Sequence, residues 1–166
     1  NSNNLNELEG VIAHELGHIT GKHHIKIYDQ LEKGRTITLV GIILGGTVSA
    51  LTGDPTAAAA IAGGVVSTTG RSLLSFNRVQ EGSADQAGFS FLKKSNKSLC
   101  GIIDFLELLN NKQVVYQKNA YTQSHPLTRE RIRDAENAAK NEDCSSSRKI
   151  KKLNKVKLQE FTLEER

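Results

Sequence analysis

From Thr36 to Gly70 the chain carries a single charged side chain, Asp54, in 35 residues. A stretch with so little charge favours helices that are buried or that lie at an interface. Its apolar run at residues 37–51 is shorter than the ~20 residues that span a bilayer, and Gly53-Asp54-Pro55 is a turn signal. We therefore predict a helical hairpin, with a transmembrane or re-entrant pair as the alternative. The glycines of this stretch suit either close packing or a mobile flap: Gly41, Gly45, Gly46 and Gly53.

The excess of basic residues lies in the C-terminal part of the chain. The 166 residues include 22 Lys and Arg and 18 Asp and Glu, while residues 145–166 alone hold seven basic and three acidic side chains. Residues 1–144 therefore carry equal numbers of positive and negative charges, which argues against nucleic acid as a partner. We predict that residues 141–166 form a basic tail that is solvated, with attraction to anionic lipid as the alternative.

Hydrophobic spacing predicts four helices, at residues 5–31, 77–94, 99–109 and 128–140. Segments with strict alternation of apolar and polar residues are nearly absent, so the predicted fold class is mainly α. The first helix is predicted from an apolar series at helical spacing: Leu5, Leu8, Ile12, Leu16 and Ile19.

The chain has two cysteines, Cys100 and Cys144. They either pair in an oxidising compartment or are unrelated thiols, and their spacing leaves both interpretations open. No CxxC pair occurs, which argues against a zinc site built from thiolates.

The strongest chemical signal in the sequence is His14-Glu15-Leu16-Gly17-His18. Residues four apart share one face of a helix, so His14 and His18 can present two imidazole nitrogens to one metal ion. Glu15 lies beside that face and can act as general base toward a metal-bound water. Gly17 leaves room for another backbone to approach closely. Two surface histidines on an amphipathic helix are the alternative, which the apolar flanking residues disfavour.

A catalytic zinc site takes a third protein ligand and leaves one position open for water. The candidate is Glu81, which shares one face of the second predicted helix with Asp85, four residues later. One carboxylate can bind the metal while the other accepts the free N–H of a ligating histidine. A solvated acidic face is the alternative for this pair.

His125 is a further candidate, in a loop before Pro126, which opens the fourth predicted helix. A histidine in such a loop can reach over a site, and Arg131 in the following helix can neutralise a carboxylate or an oxyanion. An ordinary surface turn is the alternative.

Taken together and in this order, the motifs resemble the HExxH zinc metallopeptidase family that includes the β-barrel assembly-enhancing protease, HtpX and the CAAX prenyl proteases. The resemblance is nearest to the periplasmic branch and covers residues 5–140. It rests on residues 14–19, on the uncharged insert, on Ser75-Phe76-Asn77-Arg78 with Glu81 and Asp85, and on Ser124-His125-Pro126-Leu127 with Arg131-Ile132.

The resemblance implies a zincin-type helical core, with an HExxH helix and an ExxxD helix, in a metallopeptidase catalytic domain over residues 1–140 that contains the insert at residues 36–70. It further implies one Zn²⁺ per chain, with these roles: His14, His18 and Glu81 as ligands, Glu15 as general base, Asp85 orienting a ligand histidine, and His125 and Arg131 acting near the metal. For His125 that role is a fourth ligand in a resting state or a transition-state donor. The family carries a β-sheet before the histidine helix, and we expect the sheet to be absent here, since the sequence opens almost at that helix.

The function that the resemblance implies is zinc metalloendopeptidase of the gluzincin type, which hydrolyses misfolded or stalled envelope proteins in the periplasm of a Gram-negative bacterium. The implied partners are unfolded or misassembled substrate proteins, the outer-membrane assembly machinery and, through peripheral contact, the membrane. Two alternatives stay open: a metal-bearing binding module without proteolytic activity, and a membrane-embedded protease.

Overall fold

The computed structural model describes residues 5–115 and 124–144, with the backbone alone at residues 111–115. Helices account for most of these residues, and no strand occurs within the two described ranges. The helices are α1 (Leu5–Thr20), α2 (His23–Thr52), α3 (Pro55–Lys94), α4 (Cys100–Val115) and α5 (Arg129–Ala138). The fold is therefore mainly α, as predicted. The basic tail predicted at residues 141–166 lies outside the described residues from position 145 onward.

One of two compact units is formed by the described residues within Asn1–His18 and Gly82–Arg166. Its core is a cluster of buried side chains on or directly next to α1, the C-terminal part of α3, α4 and α5: Ala13, Phe89, Leu92, Leu99, Ile102, Ile103, Leu106, Ala135 and Ala139. Burial of each large apolar side chain contributes about 1.5–3 kcal/mol, so this cluster holds the four helical segments together.

Within this unit, α1 packs through small residues. A Cβ atom on Gly10 would lie 2.9 Å from the backbone of Ile102 in α4, and Gly101 of α4 approaches the backbone of Asn6 still more closely. The apolar series that predicted α1 lies on the exposed side of the helix instead: Leu5, Leu8, Ile12, Leu16 and Ile19. The periodicity therefore predicts the helix correctly, but the face that packs is formed by small residues, because glycine and alanine allow closer helix contact than leucine.

Two predicted helix boundaries are also wrong. The helix predicted at residues 5–31 is broken at Lys22, whose φ of 52° places it in the left-handed region between α1 and α2. The helix predicted from residue 77 starts at Pro55. The Ala-rich segment that follows Pro55 continues as helix, since alanine has the highest helix propensity and proline is well tolerated in the first helical turn.

The second compact unit, Ile19–Glu81, is an antiparallel hairpin of α2 and the first part of α3. Gly53, with φ of 70°, ends α2, and the Asp54 carboxylate accepts the Thr56 N–H at 2.8 Å where α3 begins. Three glycines of α2 face residues of α3 so closely that an added Cβ would come within 3.0 Å of them: Gly34–Thr69, Gly41–Val65 and Gly45–Ala58. The hairpin with its turn at residues 53–55 is confirmed, and close packing is the role that the structure shows for these glycines.

Cys100 and Cys144 form a disulfide, which resolves the question that their spacing left open. The bond joins the first residue of α4 to the segment that follows α5. In the same place the Glu142 carboxylate accepts the Leu99 N–H at 3.0 Å and the Ser98 hydroxyl at 2.7 Å, near the positive end of α4. A cross-link of this kind contributes about 2–4 kcal/mol by restricting the unfolded chain, and it ties the end of α5 to the start of α4.

Candidate metal centre

The two histidines of the HExxH motif lie on the buried face of α1. His14 is 2% exposed and His18 is 7% exposed, one helical turn apart. Their Nε2 atoms are 3.0 Å from each other, so both rings direct the same kind of nitrogen to one point. Buried imidazoles in this arrangement need a hydrogen-bond partner or a metal ion between them.

Gly17 brings α1 against α3 beside these histidines. A Cβ atom at Gly17 would lie 2.5 Å from the carbonyl oxygen of Ala84, and one at Gly88 would lie 3.3 Å from the backbone of Ala13. No side chain fits at Gly17 without moving the α3 backbone, which is the close backbone approach predicted from the sequence. This contact places the buried side of α3 directly against His14 and His18.

Asp85 is the partner of His14. It is 1% exposed on α3, and its Oδ1 atom accepts a hydrogen bond from His14 Nδ1 at 2.8 Å. Glu81 lies one turn earlier on the same helix and is 3% exposed. The spacing of four residues therefore places both carboxylates on the buried side of α3.

Arg131 of α5 holds Asp85 in place. Its Nε atom donates to Asp85 Oδ2 at 2.6 Å, and its Nη2 atom donates to Oδ1 at 2.9 Å, which is the bidentate geometry of a strong guanidinium–carboxylate pair. Its Nη1 atom donates to the carbonyl oxygen of Pro126 at 3.1 Å. Arg131 therefore links the loop that carries His125 to the carboxylate that orients His14.

The charge of Asp85 follows from these contacts. Burial by itself would raise the pKa of this carboxyl, but hydrogen bonds from His14 and Arg131 and the positive charge of Arg131 outweigh it and lower the pKa below its ordinary value of 3.8. Asp85 is thus ionised at neutral pH. An ionised partner keeps a proton on His14 Nδ1 and leaves the lone pair on Nε2, the atom that faces His18.

We expect Arg131→Met to lower the free energy of unfolding by about 3–5 kcal/mol, because it leaves a buried carboxylate without its cation. Urea denaturation followed by circular dichroism measures this loss. Arg133→Met, at an exposed position of the same helix, is the matched control and is expected to change stability by less than about 0.5 kcal/mol. Equal stability of the two variants would show that the ion pair does not hold this part of the fold.

His125 brings a third imidazole to the two histidines of α1. The centre of its ring is 5.4 Å from that of His14 and 5.0 Å from that of His18. Its Nε2 atom is 3.7 Å from Oε1 of Glu15. The Glu15 side chain is 41% exposed, so its carboxylate is open to solvent beside the three rings.

Four side chains bring potential metal ligands together: one nitrogen from each of His14, His18 and His125, and one carboxylate oxygen of Glu81, all within 4.8 Å of one another. Three of these residues are buried and His125 is partly buried. A group of imidazoles and a carboxylate in so small a space is a suitable donor set for a divalent transition metal.

Comparison with known proteins identifies the family. Residues 1–139 match Peptidase family M48. The chain belongs to this family. Its members are metallopeptidases, which agrees with the donor set on α1 and α3. The resemblance drawn from the sequence motifs is therefore confirmed.

Curated relatives of this M48 chain carry the name β-barrel assembly-enhancing protease. The one from Escherichia coli strain K12 is 29% identical over 139 residues, and the one from Yersinia pestis is 27% identical over the same length. These alignments cover 83% of the chain and 28% of each relative, so the chain spans little more than a quarter of their length. No solved structure matches it significantly.

The structure brings all the predicted site residues of the M48 chain into one network, and it adds contacts that the sequence did not predict. Arg131 is predicted to neutralise a carboxylate or an oxyanion, and its guanidinium lies on the Asp85 carboxylate and, in a contact that was not predicted, on the Pro126 carbonyl. The role of Pro126 as an acceptor has no signal in the sequence, since it is a backbone oxygen. The Thr128 hydroxyl that accepts the Arg131 N–H at 3.3 Å does have one, because threonine is a common residue at helix starts.

Proposed function

We propose that this chain is the catalytic core of a zinc-dependent metalloendopeptidase of the gluzincin type. The observation that carries the proposal is the approach of three histidine nitrogens and one carboxylate oxygen to within 4.8 Å, beside the exposed carboxylate of Glu15. Membership of a metallopeptidase family supports it.

The donor set fits zinc. Zinc binds imidazole nitrogen and carboxylate oxygen at ~2.0–2.2 Å, so the ligand atoms of a tetrahedral site are roughly 3.3–3.6 Å apart. The 3.0 Å between the Nε2 atoms of His14 and His18 is close to that separation. We assign His14, His18 and Glu81 as the ligands of one Zn²⁺ per chain, with Asp85 fixing the orientation of His14.

The chemistry divides between the ion and the chain. A Zn²⁺ held by these ligands would polarise the scissile carbonyl and lower the pKa of a water that it binds to near 7. The Glu15 carboxylate accepts the proton of the attacking water and passes it to the nitrogen of the departing amine. Its exposure lets it reach both atoms, and its place next to His14 in the sequence puts it beside the ligands.

His125 and Arg131 have different tasks in this mechanism. The imidazole of His125, 3.7 Å from Glu15, can donate a hydrogen bond to the oxyanion that forms from the peptide carbonyl. Arg131 is a positioning residue, because its described contacts are with Asp85 and with the loop of His125.

For the substrate we propose misfolded or stalled envelope proteins, in the periplasm of a Gram-negative bacterium and in contact with the outer-membrane assembly machinery. The name of the relatives supports this assignment, and the Cys100–Cys144 disulfide supports an oxidising compartment. Because the chain spans 28% of those relatives, the remaining parts of such a protein would contribute to the choice of substrate.

Removal and return of the metal tests the proposed activity. We expect treatment with 1,10-phenanthroline to stop cleavage of unfolded casein, and a stoichiometric amount of Zn²⁺ to restore it, with metal content measured by mass spectrometry. Bound zinc without any cleavage of casein would contradict the protease proposal and favour the binding module instead. Cleavage that persists without metal would show that another site is responsible.

We expect His125→Ala to leave zinc stoichiometry near that of the wild type while it changes the rate of peptide hydrolysis. His125 lies in a loop, whereas the three assigned ligands lie on the packed helices α1 and α3, which hold the ion without it. Metal content and the cleavage rate are measured on the same sample. Loss of zinc in this variant would make His125 an essential ligand.

A further inference from the structure

The hairpin of α2 and α3 exposes an apolar surface that is unusual for a protein in water. Large apolar side chains of α2 are more than half exposed over four helical turns, and the same holds for Val66 on α3. The exposed side chains of α2 are Ile37, Leu39, Ile42, Ile43, Leu44 and Leu51. Exposed apolar patches of this size mark a contact with protein or with lipid.

The length of α2 suits a bilayer. By length and composition α2 is the one helix among the described residues that is able to cross a membrane, and 11% of its apolar window is buried inside the protein, which leaves most of that window open to a partner. The uncharged part of α2 starts at Thr36, and Asp54 follows 18 residues later at the tip. At about 1.5 Å per residue this distance is roughly 27 Å, close to the ~30 Å thickness of the hydrocarbon core.

Several polar groups inside the uncharged segment are hydrogen-bonded within their own helix. Its backbone is helical apart from the turn, and threonine hydroxyls of both helices donate to the carbonyl oxygen four residues earlier. These bonds, each 2.8 Å long, are Thr38–Gly34, Thr47–Ile43, Thr52–Val48 and Thr68–Gly64. Internal pairing of this kind is the condition for placing a helix in lipid.

The contact between the two helices is also of a kind that occurs in membranes. It is made by Gly34, Gly41 and Gly45 of α2, which bring the backbones together as small residues do between helices in membranes. The large apolar side chains are thereby left for the outer surface. A hairpin adapted to water would reverse this distribution.

Charge marks the end of the hairpin opposite the tip. Lys33 and Arg35 are exposed at the base of the uncharged part of α2, where Arg35 also pairs with the Glu32 carboxylate at 3.5 Å, and Arg71 is exposed at the matching level of α3. An open groove of about 790 Å³ begins beside Lys33 and Arg35 and continues along apolar residues that include Ile61 and Val65. Cations at one end of an apolar groove complement an anionic headgroup with its acyl chain.

We propose that residues 36–70 insert as a helical hairpin into an anionic lipid bilayer. The base, with Lys33, Arg35 and Arg71, lies among the headgroups of one leaflet. The turn at Asp54 reaches the interface of the other leaflet. Lipid is favoured over a protein partner, because the surface is apolar on several sides, carries cations at one level and has threonine hydroxyls that donate to carbonyl oxygens of their own helix.

Vesicle flotation tests the insertion. We expect the full 166-residue chain to float with vesicles of phosphatidylcholine and phosphatidylglycerol in a 7:3 ratio. The double variant Leu39→Asp/Ile43→Asp should lose binding by on the order of 10²-fold or more, because each aspartate opposes transfer into the bilayer centre. Leu8→Asp/Ile12→Asp has the same change at the same spacing on exposed positions of α1, and it should float like the wild type.

A depth measurement separates insertion from surface binding. The chain has no tryptophan, so Ile43→Trp introduces one reporter. We expect lipids brominated deep in the acyl chain to quench its fluorescence more strongly than lipids labelled at the headgroup. Replacement of Lys33, Arg35 and Arg71 by glutamine should weaken binding to the anionic vesicles by at least about tenfold and leave the depth of the tryptophan unchanged.

Several outcomes would overturn the proposal. They are absence of flotation, an equal loss of binding in the α1 control, and quenching that is confined to the headgroup label. A lipid-free dimer of the Ile43→Trp variant in which the introduced tryptophan is shielded from iodide, and which does not float, would instead identify a second copy of the chain as the partner of this surface. Circular dichroism on every variant establishes that the helices are intact.

Discussion

Glu15→Gln is expected to lose at least about 10²–10⁴-fold in the rate of peptide hydrolysis while it binds zinc as the wild type does. Glutamine has nearly the volume of glutamate and keeps its place on α1, but its amide cannot accept a proton from water. The assigned ligands His14, His18 and Glu81 are unchanged. The measurement pairs zinc content by mass spectrometry with the cleavage rate of unfolded casein.

Glu9→Gln is the matched control for this variant, since it makes the same change on the same helix. Glu9 pairs with Lys97 at 2.7 Å and is not one of the potential metal ligands, and such solvent-accessible pairs contribute little to stability. We expect wild-type cleavage and wild-type zinc content. If Glu15→Gln cleaves casein as fast as Glu9→Gln, the assignment of Glu15 as general base is wrong, and so is the protease mechanism that depends on it.

The chemical part of the site follows from short-range sequence patterns. His14 and His18 on one helix, and Glu81 and Asp85 on another, are pairs four residues apart, and helix geometry alone places each pair on one face. The structure adds that these two faces meet, which Gly17 makes possible by leaving no side chain against Ala84. A glycine in the middle of a predicted helix is therefore informative when its neighbours are potential ligands.

Side-chain partners between distant segments could not be predicted in the same way. Arg131 lies 46 residues after Asp85, and the pairing depends on how α5 packs in the core through Ala135 and Ala139. Nothing near Arg131 in the sequence distinguishes a contact with a carboxylate from a contact with an oxyanion. The disulfide is similar, because two cysteines without further context allow both a bond and free thiols.

The orientation of α1 shows a limit of hydrophobic periodicity. The method assumes that the larger apolar residues face the core, and here Gly10, Ala13 and Gly17 face it, while Leu8 and Leu16 are 43% and 44% exposed. Close contact between two helix backbones stabilises their packing through many dispersion contacts. A hydrophobicity scale does not include these contacts. The same is true of Gly41 in the hairpin, where the exposed surface is again the more apolar one.

Glu81→Ala is expected to have the largest effect on metal binding. It removes the assigned carboxylate ligand and leaves His14 and His18 to hold the ion with the help of His125. The affinity for zinc should therefore fall by more than the roughly 10–100-fold that loss of a hydrogen-bond partner of a ligand costs. Competition against a chromophoric chelator measures the dissociation constant, and circular dichroism confirms that α3 remains helical.

Two further variants provide reference values for the zinc affinity of Glu81→Ala. Asp85→Asn weakens the hydrogen bond to His14 Nδ1 but removes no ligand, so its loss of affinity should lie within the roughly 10–100-fold range. Glu9→Ala removes a partly exposed carboxylate of α1 that pairs with Lys97, and it should bind zinc as the wild type does. The expected order of affinity is thus Glu9→Ala, then Asp85→Asn, then Glu81→Ala. If Glu81→Ala binds zinc as tightly as Glu9→Ala, the carboxylate ligand has been misassigned, and His125 is the first residue of the cluster to test in its place.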